Sequence, residues 1–257
     1  VHSPDPTSML HILRSKSKKV FTAHQVVGSM NGSIKGGKFT ENIFFWYVRH
    51  AFYNRVDAIV AVSATSAKIL RDQMKVKTPV ITIYNTVDMS KLSVSETEKQ
   101  KIRKKLGIEK DDFVVVGNGQ LQPRKRLDTF IEVARMLPDV KFVWIGGLPF
   151  GALGAELGHM NRLIEQAPDN FFNTGMLPLN QARDYIQAAN VFFLPSSQEN
   201  HPMAALEAAG AGIPVILRDI PEYDDTFRGD ALMASNDQGF AEIISKLKED
   251  PNEYQKA

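Results

Sequence analysis

Short apolar runs alternate with amphipathic stretches along most of the chain. Runs rich in Val, Ile, Phe and Leu fall near 18–23, 56–62, 79–83, 112–118, 140–146, 170–173, 190–195 and 213–217, and each is the length of a buried strand. Between them, helical spacing of apolar residues predicts helices near 41–54, 64–75, 96–106, 126–137, 180–189, 203–211 and 237–249. Val1 to Pro6 reads as the end of a strand, residues 8 to 14 as helical, and the run from Pro251 to Ala257 as part of a helix. Strand and helix in alternation predict an α/β chain whose parallel sheet is covered on both faces.

Two strand-to-helix junctions carry candidate chemistry. After the apolar run ending at Pro195, a polar loop leads through Glu199, Asn200, His201 and Pro202 into a helix holding Met203 and Glu207. Proline suits a first helical position. The amides from about Asn200 to Met203 are then expected to be free donors at a positive helix end, a site for phosphate. Glu199 hangs in the loop, and Glu207 lies about one turn inside the helix, where a carboxylate can accept ribose hydroxyls. Two glutamates at this spacing more often face water, and only their context favours a nucleotide-sugar site. At the second junction, 113–118 leads into Gly119, Gln120, Leu121, Gln122, Pro123, Arg124, Lys125, Arg126, Leu127 and Asp128. A cation on such a turn shares one side with backbone amides, which favours phosphate for Lys125. For Arg126 a solvated basic turn is the better reading.

These segments resemble retaining glycosyltransferase family 4, whose fold is called GT-B. Glu199 and Glu207 fit its Glu-x7-Glu signature, together with Leu206-Glu207-Ala208 and the Gly-Ile-Pro-Val at 212–215. The family's Gly-Phe-Gly after the first glutamate is replaced by Asn200-His201-Pro202, which leaves the sugar preference open. Lys125 falls on the lysine of the family's Gly-Arg-Leu-x-x-x-Lys-Gly pattern, Gln120 stands where the arginine is usual, and Arg124 and Arg126 flank the lysine. That variant looks like the branch making bacterial glycosyl-diacylglycerols. The resemblance further implies a nucleobase contact at Met176 and a donor-sugar contact at His24, with Gly119 and Gln120 lining the diphosphate turn. His201 is a weaker candidate for the sugar; His2, His11, His50 and His159 gain no support. Asn85-Thr86-Val87-Asp88 resembles the family's interdomain crossing, so residues 1–88 are expected to belong to the acceptor domain and 89–257 to the donor domain, two Rossmann-like domains facing a cleft. The family's first domain normally begins with further βα units and a Gly-rich loop. The chain therefore reads as a fragment, expected to transfer no sugar alone and to be poorly soluble.

Composition narrows the rest. At 257 residues with 43% hydrophobic content, the chain can bury one large core or two smaller ones. It has no cysteine, which excludes disulfides and thiolate metal sites and suits a cytoplasmic protein. No apolar run reaches the length of a membrane span. No Asp-x-Asp occurs; the other common glycosyltransferase fold holds a divalent metal with that pair, so no metal or cofactor is expected.

Charge divides unevenly. Residues 1–80 hold 12 Lys/Arg against 4 Asp/Glu, and the remainder 19 against 25. A basic first half suggests a polyanionic surface. Near its centre, residues 44–55 interleave Phe44, Phe45, Trp46, Tyr47, Phe52 and Tyr53 with Arg49, His50 and Arg55. Such a stretch can lie in a membrane interface or stack on bases, but a core helix accounts better for most of these aromatics. Nucleic acid is the weaker partner, since no binding motif accompanies the charge. An anionic membrane, contacted through Lys16, Lys18, Lys19, Lys35 and Lys38 on its cytoplasmic face, fits the charge. The reading is a retaining hexosyltransferase using UDP-glucose or UDP-galactose, with a membrane glycolipid or diacylglycerol as acceptor. A cell-wall or exopolysaccharide glycosyltransferase, a nucleotide-sugar epimerase and a non-catalytic sugar-nucleotide-binding module stay open.

Overall fold

The structure, a computed structural model, describes residues 13–14, 16–24, 26–27, 37–148 and 155–257, with the side chains of 37–38, 41 and 155–157 outside that description. The chain forms two compact units: Val1–Asn85 with Gln198–His201 and Pro221–Thr226, and Thr86–Ser197 with Pro202–Ile220 and Phe227–Ala257. Two short segments from the second half of the sequence thus fold with the first half.

In the first unit β1 (Val20–Ala23) leads to the helix α1 (Gly37–Ala51), then β2 (Ala58–Ala61), α2 (Ala64–Lys68) and β3 (Val80–Thr82). The strands pair in parallel in the order β1-β2-β3. Phe45 and Val48 of α1, with Phe52 and Tyr53 just beyond it, pack on Phe21, Ile59 and Leu70 to form the core. Phe21 meets the Phe52 ring edge-on at 4.8 Å, an arrangement the aromatic quadrupole favours. Ser63 caps α2 by accepting from the Ser66 amide at 3.1 Å. The helix expected over 64–75 forms from Ala64 to Gln73, its second half as a π turn over Ile69–Gln73. Lys75, at φ 52°, lies beyond it in the left-handed region, where a helix cannot continue.

In the second unit the order is α3 (Glu96–Lys105), β4 (Val114–Asn118), α4 (Leu127–Met136), β5 (Lys141–Ile145), α5 (Ala155–Glu165), β6 (Phe171–Asn173), α6 (Leu179–Gln187), β7 (Val191–Leu194), α7 (Met203–Gly210), β8 (Val215–Arg218), β9 (Leu232–Ala234), α8 (Asp237–Glu249) and α9 (Pro251–Lys256). The strands lie in the order β6-β5-β4-β7-β8-β9, all parallel. The three valines of β4 and all of β7 are buried, as a strand covered on both faces requires. Chain order runs outward from β4 to β6 on one side and from β7 to β9 on the other, so the strand order reverses between β4 and β7. Ligands of open α/β sheets bind at the carboxyl ends of the strands at such a reversal.

The eight strands expected from 18 to 217 form within a few residues of their expected positions. β9 and α5 were not expected; β9 is three half-buried residues with no alternation. The strand expected before Pro6 and most of the helix over 8–14 lie outside the described residues; Leu13 and Arg14 are helical.

Arg103 ties α3 to the base of the sheet. Its buried guanidinium donates to the carbonyls of Ala188 (2.9 Å), Lys110 (3.1 Å) and Asp112 (3.0 Å) and to Asn190 Oδ1 (3.0 Å). The same Asn190 oxygen accepts from the first amide of β4 at 2.8 Å. Removing the guanidinium strands several buried acceptors, each costing about 1–3 kcal/mol. Arg103→Met is expected to destabilise the second unit by roughly 3 kcal/mol in urea unfolding followed by circular dichroism, whereas Lys101→Met, which breaks an exposed ion pair, changes little.

Candidate functional site

The turn after β4 is shaped by a close backbone approach. Gly119 donates its amide to Ile145 O at 2.9 Å, and its carbonyl accepts from Trp144 Nε1 at 3.0 Å. Gly146 lies against that carbonyl at φ 146°, and a Cβ there would sit 2.0 Å from Gly119 O. Only glycine fits. Gly119 itself carries the stem of Lys125, which a Cβ at 119 would meet at 3.0 Å. Lys125 ends the 3-10 turn Pro123–Lys125. Its aliphatic chain is thereby laid over the end of β4. Across the strand reversal, the Ser197 amide donates to Arg124 O at 2.8 Å, joining the turn after β4 to the loop after β7.

The neighbouring cations are engaged unequally. Arg126 takes the left-handed conformation at φ 53° and caps α4, so the helix starts at Leu127. Its guanidinium forms a two-pronged pair with Asp128 at 2.8–3.1 Å. Burial is the largest influence on the Asp128 pKa and raises it, but the Arg126 hydrogen bond and charge, with backbone hydrogen bonds from Thr129 and Asp128, together hold the carboxyl below its usual range. Arg126 is therefore paired within its own turn, where a solvated basic residue was expected. Arg124 Nε donates to Gln122 Oε1 at 3.1 Å, and Gln122 Nε2 donates to Gln120 Oε1 at 3.0 Å. Gln120, standing where arginine was expected, thus ends a polar string leading back to Arg124.

The turn after β6 lies at the same edge. Gly175, at φ 67°, accepts from the Gly146 amide at 3.0 Å. Met176 follows, 57% exposed, its Cγ 2.9 Å from where a Cβ of Gly147 would stand. An exposed, flexible thioether over Gly147 makes an apolar ledge.

At α7 the structure corrects the reading of the helix end. Pro202 is the capping residue and not the first helical one; α7 begins at Met203. Proline has no N–H, so the amides without helical acceptors are those of Met203, Ala204 and Ala205 and not those from Asn200 to Met203. Glu207 does lie one turn inside, but it is buried and paired: Arg183 Nε on α6 donates to its Oε1 at 2.7 Å. No sequence signal marked Arg183, which sits 24 positions away on a polar helix.

Within the first unit, the structure brings the loop 198–201 to the end of β1. Asn200 Nδ2 donates to the His24 carbonyl at 2.7 Å. Glu199 is 6% exposed. His201, also buried, accepts at Nδ1 from the Asn85 amide at 3.0 Å, and Asn85 Nδ2 donates to His201 O at 3.1 Å. Its other ring nitrogen donates to the Val62 carbonyl. His201 is therefore held by backbone on both sides of its ring. The segment 221–226 is tied down by Asp225, which accepts from the Ala64 amide at 2.7 Å and the Tyr84 hydroxyl at 3.0 Å. Burial raises the Glu222 pKa, with Asp224 and Glu199 adding to the effect.

The basic surface differs in detail from expectation. Lys18 pairs with Asp57 at 3.1 Å, and the Lys19 amide binds the same carboxylate at 2.8 Å. Lys16 is exposed; Lys35 and the Lys38 side chain lie outside the described residues. The expectation that most of the aromatics of 44–55 are core holds for half of them. Phe45, Phe52 and Tyr53 are buried, but Trp46 and Tyr47 are 60% and 63% exposed, and Phe44 is exposed beside them. Phe39 (74%) and Ile43 (52%) continue the exposed side along α1. Four consecutive aromatics span all sides of a helix, so only some can face one core.

Residues 98–257 match the family described as Glycosyl transferases group 1, and residues 1–91 match Glycosyltransferase Family 4. The chain is 30% identical over 239 residues to the alpha-galactosylglucosyldiacylglycerol synthase of Streptococcus pneumoniae, covering 93% of this chain and 64% of that protein. It is 28% identical to the processive diacylglycerol alpha-glucosyltransferase of Acholeplasma laidlawii, over 93% of this chain and 72% of the relative. The chain thus spans roughly two thirds of the length of these relatives. Among solved structures it is similar to Anabaena HepE in complex with UDP-glucose, with a TM-score of 0.78 at 17% identity over 96% of this chain and 67% of that one. It is also similar to a sucrose-phosphate synthase of Thermosynechococcus elongatus, with a TM-score of 0.76 at 20% identity over 94% and 61%. These likenesses and the parallel sheets establish the α/β fold as GT-B. The chain belongs to the glycosyl transferases group 1 family, and it carries a Glycosyltransferase Family 4 region ahead of that domain.

Proposed function

We propose that the chain is part of a retaining, metal-independent hexosyltransferase that moves glucose or galactose from a UDP-sugar to a membrane glycolipid or diacylglycerol. The observation that carries this reading is the grouping at one edge of the second unit's sheet: Lys125 laid over Gly119, the first amides of α7, the exposed Met176 and the buried Glu207. A nucleoside diphosphate has matching parts in the same order: phosphates for the lysine and helix amides, a base for the apolar ledge, and a ribose for the carboxylate. The lysine and the helix end offset the charge growing on the departing diphosphate, which is the electrostatic term that often dominates catalysis. With no Asp-x-Asp in the sequence, these cationic groups take the place of a metal ion. Glu199 and His24 hold the hexose. Attack comes from the face the diphosphate leaves, so no protein nucleophile is assigned. The S. pneumoniae and A. laidlawii relatives, both named for sugar transfer to diacylglycerol lipids, support the acceptor class.

The acceptor class also has support from α1. Phe39, Ile43, Trp46 and Tyr47 recur at helical spacing on the side opposite Phe45 and Val48. An apolar aromatic stripe on a helix within the basic half of the chain suits the interface of an anionic bilayer. The enzyme works on this reading at the cytoplasmic face of a membrane. Among the described residues no helix is long and apolar enough to cross one.

Two variants separate the parts of the donor site. Lys125→Ala is expected to weaken UDP binding by about ten-fold or more, from the loss of one charge-assisted bond, and to leave uridine binding unchanged. Glu207→Ala is expected to weaken both equally, because both carry the ribose. Titration calorimetry with the two ligands checks this; a Lys125 variant that loses UDP and uridine alike removes that lysine from the diphosphate.

The membrane contact has its own reporter. The chain has two tryptophans, of which Trp144 is fully buried and Trp46 is 60% exposed. Added anionic vesicles are expected to shift tryptophan emission to the blue, neutral vesicles not to, and salt to weaken the response. Trp46→Phe is expected to abolish the shift. An emission spectrum indifferent to anionic lipid excludes this face as the contact.

A further inference from the structure

Asn200, His201 and Pro202 follow Glu199 in the loop after β7, and two of them make specific contacts. Asn200 reaches the His24 carbonyl through its side chain at 2.7 Å. His201 receives the Asn85 amide on Nδ1 at 3.0 Å, gives its other ring proton to the Val62 carbonyl, and takes the Asn85 side-chain amide on its own carbonyl at 3.1 Å. The Tyr84 ring meets the imidazole edge-on, at 5.7 Å between centroids. Glycine at either position could make none of the side-chain bonds.

We propose that Asn200 and His201 are positioning residues that seat the Glu199 loop on the first unit at the end of β1, fixing Glu199 next to the residue that binds His24. The inference rests on the proposed sugar-transfer reading, in which Glu199 and His24 hold the hexose. Four hydrogen bonds converge on two consecutive residues, and three of the acceptors or donors are backbone groups of β-strand ends or of the residue closing the first unit. The loop's place is therefore set by the same strands that set His24. A glycine-rich loop would leave the same glutamate to the loop's own conformational freedom, which costs entropy each time it is ordered.

The arrangement also fixes the protonation state. An imidazole nitrogen that accepts from an amide cannot carry a proton, so the docked loop requires neutral His201. Burial lowers the His201 pKa below its ordinary value, and Asp225 and the Val62 carbonyl oppose that shift without cancelling it. The other titratable groups around the loop are Tyr84, Glu199, Glu222, Asp224 and His24. Because the docked pKa is depressed, seating is fully favoured above the ordinary histidine range, near pH 6.5, and is lost as the pH falls below it.

The test uses His201→Phe, which keeps a ring and removes both polar contacts, Asn85→Ala, which removes one, and His201→Asn, which restores an acceptor near the Nδ1 position. In the intact protein kcat for hexose transfer is expected to fall about ten-fold or more in His201→Phe, as the loss of two hydrogen bonds implies, and to recover partly in His201→Asn. UDP affinity is expected to stay within two-fold, since Lys125 and Glu207 are untouched. The acid limb of the wild-type pH profile is expected to disappear in His201→Phe. Hydrogen exchange on the 257-residue chain is expected to show a protected Asn85 amide that loses protection in His201→Phe and, less so, in Asn85→Ala. An unprotected Asn85 amide in the wild-type chain, or an unchanged kcat in His201→Phe, overturns the proposal. A parallel fall in UDP affinity and kcat overturns it too, by making the residue part of the donor pocket. A wild-type protein that binds UDP and transfers no hexose refutes the proposed function instead, and the exchange result then stands alone on where the loop sits.

Discussion

The approach of Gly146 to the Gly119 carbonyl is the constraint on which the candidate donor site depends. A side chain at 146 would overlap that oxygen at 2.0 Å, and no rotamer avoids a clash made by Cβ itself. With the clash absent, the ends of β4 and β5 close on each other. Trp144, the largest fully buried side chain, reaches out to hold the same oxygen with its indole N–H. The strand end is thus rigid on two sides, and the turn that follows has one course open to it. Lys125 is laid over Gly119 by that course, and Gly175 and Met176 are drawn in by the bond from the Gly146 amide. Three loops take their place from one backbone contact, which gives a flexible lysine stem a defined course over the strand end.

Much of this was legible in the sequence because it is written locally. A buried parallel strand needs a continuous apolar run, and Val114 to Val116 and Val191 to Leu194 supply one, so β4 and β7 were visible. The two glutamates and Lys125 were visible for a similar reason: each lies within a few residues of a strand end, where sequence order and spatial order coincide. β9 was not, because three half-buried residues at a sheet edge have no period to detect. The aromatic segment of α1 failed in another way. Phe44, Phe45, Trp46 and Tyr47 are alike in composition, and only the fold selects Phe45 for the core and leaves its neighbours in water.

What the sequence could not show are partners joined across long separations. Arg183 and Glu207 are 24 residues apart, and Asn85 and His201 are 116 apart. Neither pair follows from any spacing rule, since each arises from how separate elements come together. The Arg183–Glu207 pair also changes the chemistry expected of Glu207. A buried carboxylate with no counter-ion would favour its protonated form. Arg183 supplies that counter-ion through a charge-assisted bond to Oε1 at 2.7 Å.

The loop 198–201 shows the complementary case, where a departure from the family pattern is informative once the fold is known. Asn200 and His201 look in sequence like a loss of the glycines that let a backbone approach a ligand. In the fold they are a gain of side-chain contacts to His24, Val62 and Asn85. Glycine brings freedom and close approach, whereas asparagine and histidine bring fixed direction. A loop exchanging one for the other gives up adjustability at Glu199 for a defined seat. That exchange suits an enzyme needing one geometry at the sugar more than it suits one accommodating several. The same histidine makes the seat sensitive to protonation, since the nitrogen that holds Asn85 is the one that acid would occupy.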